Sequence, residues 1–171
     1  MRLPRILAVS LVCAAACGGG ADAGPARGDY FTQLQRVSET AHIQERGVRR
    51  DLRVRLEEAS PGEERLAAAT VYLDQAARLY QDVVDALAAL DPPAELAAPQ
   101  DAYREAWRAQ LDLIVAVRYA GFKTADRILG QVESPTFREA ATETEDACDD
   151  LQAAVAGAGS DVDLVCDGRP D

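Results

Sequence analysis

The side chains of this chain with the most chemical reach are one histidine, four cysteines and a few acids set among apolar residues. Glu39-Thr40-Ala41-His42 has the Glu-x-x-His spacing that puts a carboxylate and an imidazole on one helical face, and Glu45 extends the row by a turn. A dinuclear metal centre in a helix bundle needs two such motifs and further glutamates from other helices. His42 is the only histidine, so the second motif does not exist, and no metal is expected. His42 also neighbours the apolar stripe of its helix instead of lying in it, which reads as a boundary position. Nucleophilic catalysis fares no better. There is no Gly-x-Ser-x-Gly elbow, only one histidine is available as a base, and there is no Cys-x-x-Cys-His for haem attachment. No glycine-rich phosphate loop follows a strand. The chain reads as a non-enzyme without cofactor.

The cysteines sort by position. Arg2 and Arg5 precede an apolar stretch, Ile6 to Ala16, of about 11 residues, the length of a secretory signal core and too short to span a bilayer. Ala14-Ala15-Ala16 then places small residues before Cys17. This pattern predicts a lipoprotein signal over residues 1–16, with Cys17 lipidated as the first mature residue. Cys13 lies inside the signal behind the larger Val12 and would be removed with it. Cys148 and Cys166 remain, an even number in an exported domain, and a disulfide between them is expected. The loop it closes is about 18 residues, worth roughly 3 kcal/mol in the chain-entropy model.

Asp74 and Asp112 sit among apolar residues, and Arg118 interrupts a similar run. A charge facing the core requires a partner. Arg108, four residues before Asp112, is a helix-face candidate; otherwise both acids belong at an edge in water. Tyr72, Tyr80, Tyr103, Trp107, Tyr119 and Phe122 fall in two neighbouring helical segments. If Tyr80, Tyr103 and Trp107 converge they would line an interhelical pocket. Tyr80 and Trp107 also fit apolar stripes, which makes core positions the expectation for both.

The elements that must hold these residues are all helical. Gly18 to Gly28 lacks periodicity and reads as a flexible tether, residues 17–28 counted with the lipidated cysteine, with a reach on the order of 20 Å. Residues 29–171 form the domain. Helix one is predicted from Asp29, as N-cap, to Ala59, with Tyr30, Leu34, Val37, Ala41, Val48, Leu52 and Leu56 on one stripe. Ser60-Pro61-Gly62-Glu63 has the form of a capping box with proline at the first helical position. Helix two then runs to about Leu90, ahead of Asp91-Pro92-Pro93. Residues 92–98 make a corner. Helix three runs from Pro99 to Leu129 with Gly130 as its C-terminal cap, and its Leu111 to Val117 run predicts the most buried helix. Ser134-Pro135 starts helix four, which ends near Gly157 with Cys148 facing inward. Val162 and Leu164 alternate with aspartates in a tail that the disulfide would pin to helix four. Four long helices with short connections predict an all-α, up-down-up-down four-helix bundle with a disulfide-pinned C-terminal tail.

These features together resemble a group of small uncharacterised bacterial lipoproteins with an all-helical exported domain and a C-terminal disulfide. The residues that carry the likeness are Ala14-Ala15-Ala16-Cys17, Asp29-Tyr30-Phe31, Leu90-Asp91-Pro92-Pro93-Ala94-Glu95, Cys148-Asp149-Asp150-Leu151-Gln152 and Asp163-Leu164-Val165-Cys166. Members often carry a histidine shortly after the double proline; Ala97-Ala98-Pro99-Gln100-Asp101 stands there in this chain, so nothing is carried over to it. The resemblance implies a fold and a location and no activity.

Formal charge is −11 for the whole chain, from 18 basic and 29 acidic residues. Removal of Arg2 and Arg5 leaves 16 − 29 = −13 on the mature side chains. Such acidity argues against nucleic acid and against electrostatic adhesion to anionic lipid. The expectation is a protein of the cell envelope, held to the extracytoplasmic side of a bacterial membrane by its N-terminal lipid. There it would bind another envelope component or act as a structural accessory. A small-ligand or cation binder, using an interhelical pocket or an acidic face, is the alternative.

Overall fold

The computed structural model describes residues 25–166, with side chains from Gly28 onward. The signal (1–16), Cys13, Cys17 and the tether as far as residue 24 lie outside the described residues. Within them the chain is all-helical: α1 (Pro25–Glu58), α2 (Glu63–Ala88), α3 (Ala97–Tyr119), α4 (Ala125–Val132) and α5 (Pro135–Gly157). None of these is long and apolar enough to cross a membrane.

Each boundary has a local cause. α1 starts at Pro25, four residues before the expected Asp29 cap, so the end of the predicted tether is helical and Asp29 lies inside the helix. Proline at a first helical position loses no hydrogen bond, because that N–H would have no partner in any helix. The capping box at Ser60 does not form as predicted. Gly62 takes φ +98°, α2 begins one residue later at Glu63, and no side chain caps it. The reciprocal half survives one position along, where the Ser60 backbone N–H donates to the Glu64 carboxylate at 2.7 Å. The Ser134 cap is as the sequence implies: its hydroxyl accepts from the Phe137 N–H at 3.3 Å, with Pro135 opening α5.

The predicted third helix is two helices. α3 stops at Tyr119, Gly121 turns the chain with φ +69°, and Thr124 caps α4 by accepting from the Arg127 N–H at 3.4 Å. Gly130 therefore lies within α4 and is not a C-terminal cap.

α2 is the central helix, packed closely against α1 and α3 and covered in part by α4. It buries ten residues against six for α3, so the most buried helix is α2 and not α3. The reason lies in Leu113, Val115 and Val117, which are only partly buried on the flank of α3. The core runs from Tyr30 and Leu34 through Leu73, Tyr80, Val84 and Leu87 to Ile114, Leu151 and Val155. Buried amides cross it. Tyr30 donates its hydroxyl to the Gln100 Oε1 at 2.8 Å, and Gln100 Nε2 donates to the Leu87 carbonyl at 3.0 Å, tying α1, α2 and α3 together near the double-proline corner.

After a turn at Ala158 and Gly159, the C-terminal segment 160–166 has no helix or strand and is held by side chains. Gln152 Nε2 donates to the Val162 carbonyl at 3.0 Å, while its Oε1 accepts from the Leu164 N–H at 2.6 Å. Ser38 on α1 repeats the device, donating to the Val165 carbonyl at 3.0 Å and accepting from the Val165 N–H at 2.9 Å. Cys148 and Cys166 are joined by a disulfide with Cα atoms 5.3 Å apart. The tail is thus fixed to α5 covalently and to α1 by hydrogen bonds.

Replacing both cysteines by alanine should cost roughly 3 kcal/mol and lower the melting temperature by roughly 6–12 °C, with helical circular dichroism retained. Ser38→Ala should cost about 1–3 kcal/mol, because it strands both backbone polar groups of Val165. Thermal melts of the oxidised protein check both, and an unshifted midpoint in either variant contradicts the clamp.

Candidate functional site

α1 packs on α2, α2 on α3, and α3 on α5. The remaining seam, between α1 and α5, is bridged by the C-terminal segment through Ser38–Val165 and Cys148–Cys166. Beside that bridge lies a cavity of about 170 Å³. α1 supplies Ser38, His42, Glu45 and Arg49 to its wall, four residues at helical spacing on one face. α3 supplies Tyr103, Trp107 and Gln110 at the same spacing, and α5 supplies Ala141, Thr144, Glu145 and Cys148. Val165 and Cys166 close one end.

Most polar groups of this wall are already engaged. Gln110 Nε2 donates to the Thr144 hydroxyl at 2.7 Å, and Thr144 donates to the Ala140 carbonyl at 2.9 Å, closing the floor between α3 and α5. Glu45, only 16% exposed, accepts from the Arg49 guanidinium at 2.7 Å and from the Tyr80 hydroxyl at 3.4 Å through one carboxylate oxygen. Two groups are left over. Glu145 is partly buried and makes no ion pair among the described residues. The Trp107 indole N–H is buried with no hydrogen-bond partner, on a side chain only 5% exposed. Its nitrogen has almost no accessible surface and lies beside the Tyr103 side chain. An unsatisfied buried donor costs about 1–3 kcal/mol and is uncommon in native proteins.

The three aromatic residues singled out from the sequence do meet. Tyr80 and Trp107 have ring centroids 5.3 Å apart, and Tyr103 and Trp107 6.2 Å apart. Their roles divide. Tyr103 and Trp107 line the cavity, whereas Tyr80 is a core residue outside its lining that touches the site through the Trp107 ring and Glu45. Tyr72 is core, and Tyr119 is 82% exposed. His42 sits half-buried at the cavity wall, but Glu39 is exposed and its carboxylate accepts from the Gln35 amide at 2.9 Å. No group of three or more histidine, cysteine or acidic side chains among the described residues is arranged to hold a metal ion. Asp74 and Arg118 answer each other across α2 and α3 at 2.6 Å, both half-exposed, and Asp112 is exposed without Arg108 as partner. Neither acid is a buried functional charge.

Ser38, Arg49, Gln110 and Glu145 line the cavity and were not singled out from sequence. Their signal is spacing: Ser38, His42, Glu45 and Arg49 form a polar row alongside the apolar stripe of α1. The Ser38 hydroxyl, one turn from His42, is fully occupied by the Val165 backbone, so the two do not form a nucleophile–base pair. Comparison with protein-family models, curated proteins and solved structures returns no match.

Four core tyrosines dominate the response to alkali. Burial pushes Tyr30 up to about 12 and raises Tyr72, Tyr80 and Tyr103, with the nearby Glu45 carboxylate adding to the effect at Tyr80. The unfolded chain releases these protons near pH 10, and the folded chain does not. Stability from these groups is therefore complete below about pH 10 and falls as pH rises toward 12. Unfolding should coincide with the appearance of tyrosinate absorbance, and Tyr30→Phe should shift that transition to higher pH. Tyrosinate formation in a still-folded protein would contradict this.

Proposed function

We propose that this chain is a lipid-anchored, extracytoplasmic, non-enzymatic binding domain whose site is the cavity between α1, α3 and α5. The observation that carries the reading is a cavity walled by polar side chains from three helices, in which Glu145 is partly buried and makes no ion pair among the described residues. In this reading α1, α2, α3 and α5 alternate up-down-up-down as a four-helix bundle, with α4 as an added turn between the third and fourth. The sequential packing of α1 on α2, α2 on α3 and α3 on α5 supports that arrangement.

The lipid anchor rests on Ala14-Ala15-Ala16-Cys17, and the extracytoplasmic location on the Cys148–Cys166 bridge, which an oxidising compartment favours. A non-enzymatic role fits a site whose one serine is bound to backbone and whose one histidine has no nucleophile to activate. A second reading, docking to another envelope component, has its own support. Ile43 is 62% and Val54 43% exposed on α1, about three turns apart and so on one outer face.

Two measurements test the proposal. Binding of any member of a panel of small polar molecules should raise the melting temperature or alter Trp107 fluorescence; a panel without effect on either contradicts the ligand-binding reading. Cys17→Ala should move the protein from the membrane fraction to the soluble fraction, and retention of the variant in membranes contradicts the anchor.

A further inference from the structure

We propose that the outer face of α1 lies against an anionic lipid surface, that of the bilayer to which the N-terminal lipid tethers the chain. This rests on the lipid anchor proposed above and adds the face that the anchored domain turns to the membrane. Ile43, Arg46, Arg50 and Val54 follow one another at intervals of three, four and four, and so form one row along the helix. Arg53 stands beside the row, three residues after Arg50. All five side chains are exposed. Ile43 and Val54 are two of the three large apolar side chains left exposed among the described residues.

The arginines of this face have no partner inside the molecule. Arg46, Arg50 and Arg53 make no ion pair among the described residues, whereas the neighbouring Arg49 and Arg55 are paired with Glu45 and Asp51. Like charges three and four residues apart on a helix repel each other. The cluster therefore costs stability that nothing within the fold offsets. An anionic surface supplies the missing counter-charge, and the apolar side chains at the two ends of the row enter its headgroup layer. Glu39 and Glu57 continue the row outward and Arg36 lies just before Glu39, so the whole face carries 4 − 2 = +2 in a chain of −11. The exposed acids Glu139, Glu143, Asp146, Asp149 and Asp150 collect on α5 instead. Net acidity opposes adhesion of the molecule as a whole. At physiological salt a charge acts over only about 8 Å, so the face turned to the bilayer outweighs acids on another helix.

The tether favours a lipid surface over a protein partner. Eight Cα steps separate Cys17 from Pro25, where α1 begins, and they reach at most about 28 Å. The start of α1 thus stays close to the bilayer, and the helix has only to lie flat for the row to meet it. A short link holds the face at an effective concentration in the millimolar range, so contacts too weak to retain a free protein suffice.

The test uses the lipidated, oxidised full chain reconstituted into vesicles of phosphatidylcholine alone or of phosphatidylcholine and phosphatidylglycerol in equal parts. A nitroxide is attached at Ile43→Cys, or as a control at Thr142→Cys on the exposed side of α5. The protein should float with both vesicles. In the anionic vesicles only, the label at 43 should lose most of its collisions with a water-soluble nickel complex, while the label at 142 keeps them. Raising the salt to about 1 M, where the Debye length is about 3 Å, should restore the collisions at 43. Replacing Arg46, Arg50 and Arg53 together by glutamine should weaken docking on the order of a hundredfold, with the melting temperature retained. A label at 43 that is equally wet in both vesicles, or still protected in the triple variant, would overturn the docking while leaving the anchor. So would protection at 43 in native membranes and not in protein-free anionic vesicles, which would assign the face to a protein. Failure to float with either vesicle would overturn anchor and docking together.

Discussion

The joint between α1 and α5 is made by backbone, not by helix packing, and the rest of the molecule follows from that. Three seams of the structure close by burial of apolar stripes, with α2 at the centre. The fourth is spanned by the C-terminal segment, whose Val165 peptide groups bond to one serine on α1 and whose Cys166 is bonded to Cys148 on α5. A hydrogen-bonded strap of this kind spaces two helices further apart than interlocking side chains would, because nothing requires the 8–10 Å separation of packed helices. The space left over is the cavity. Polar side chains around it stay ordered because Gln110–Thr144 and Glu45–Arg49 fix them to each other.

This construction joins stability to the site. Cys148 and Cys166 are both the tie that holds the tail and part of the cavity wall, and Ser38 serves in the same two ways. The glutamine pairings set a hierarchy. Gln152 holds the tail to α5 through Val162 and Leu164, so reduction of the disulfide removes one of several links on that side. On the α1 side Ser38 provides both hydrogen bonds that reach the tail backbone. The integrity of the cavity is therefore more exposed to loss of one hydroxyl than to loss of the covalent bond, even though the bond contributes more to overall stability.

Much of the helical frame was legible because it rests on short-range rules. Ser134-Pro135 works as a cap because both requirements, a hydroxyl acceptor and a missing N–H, are met by adjacent residues. Ser60-Pro61-Gly62-Glu63 satisfies the same pattern on paper and fails in space, since Gly62 is free to take φ +98° and the helix starts after it. The split of the third helix was hidden for a different reason. Ile114, Val117, Ala125 and Ile128 keep a helical register straight through the interruption at Gly121, so hydrophobic spacing alone carries no sign of a break. Thr124 as an N-cap was the readable clue, and a threonine within an apolar pattern is easily passed over. The disulfide was legible from parity and position, and its geometry bears this out.

The site was only half legible, and the missing half is the polar one. A search for stripes finds Tyr103 and Trp107, because they bury, and discards Ser38 and Gln110, because they are polar. In this structure both are nonetheless buried, each satisfied by a partner at least 34 residues away along the chain. Their burial is decided by which helix stands opposite, a property that no single helix's sequence contains. The one exception is instructive. Trp107 satisfies the hydrophobic criterion with its ring and violates the hydrogen-bonding one with its N–H, a property that only the tertiary structure reveals.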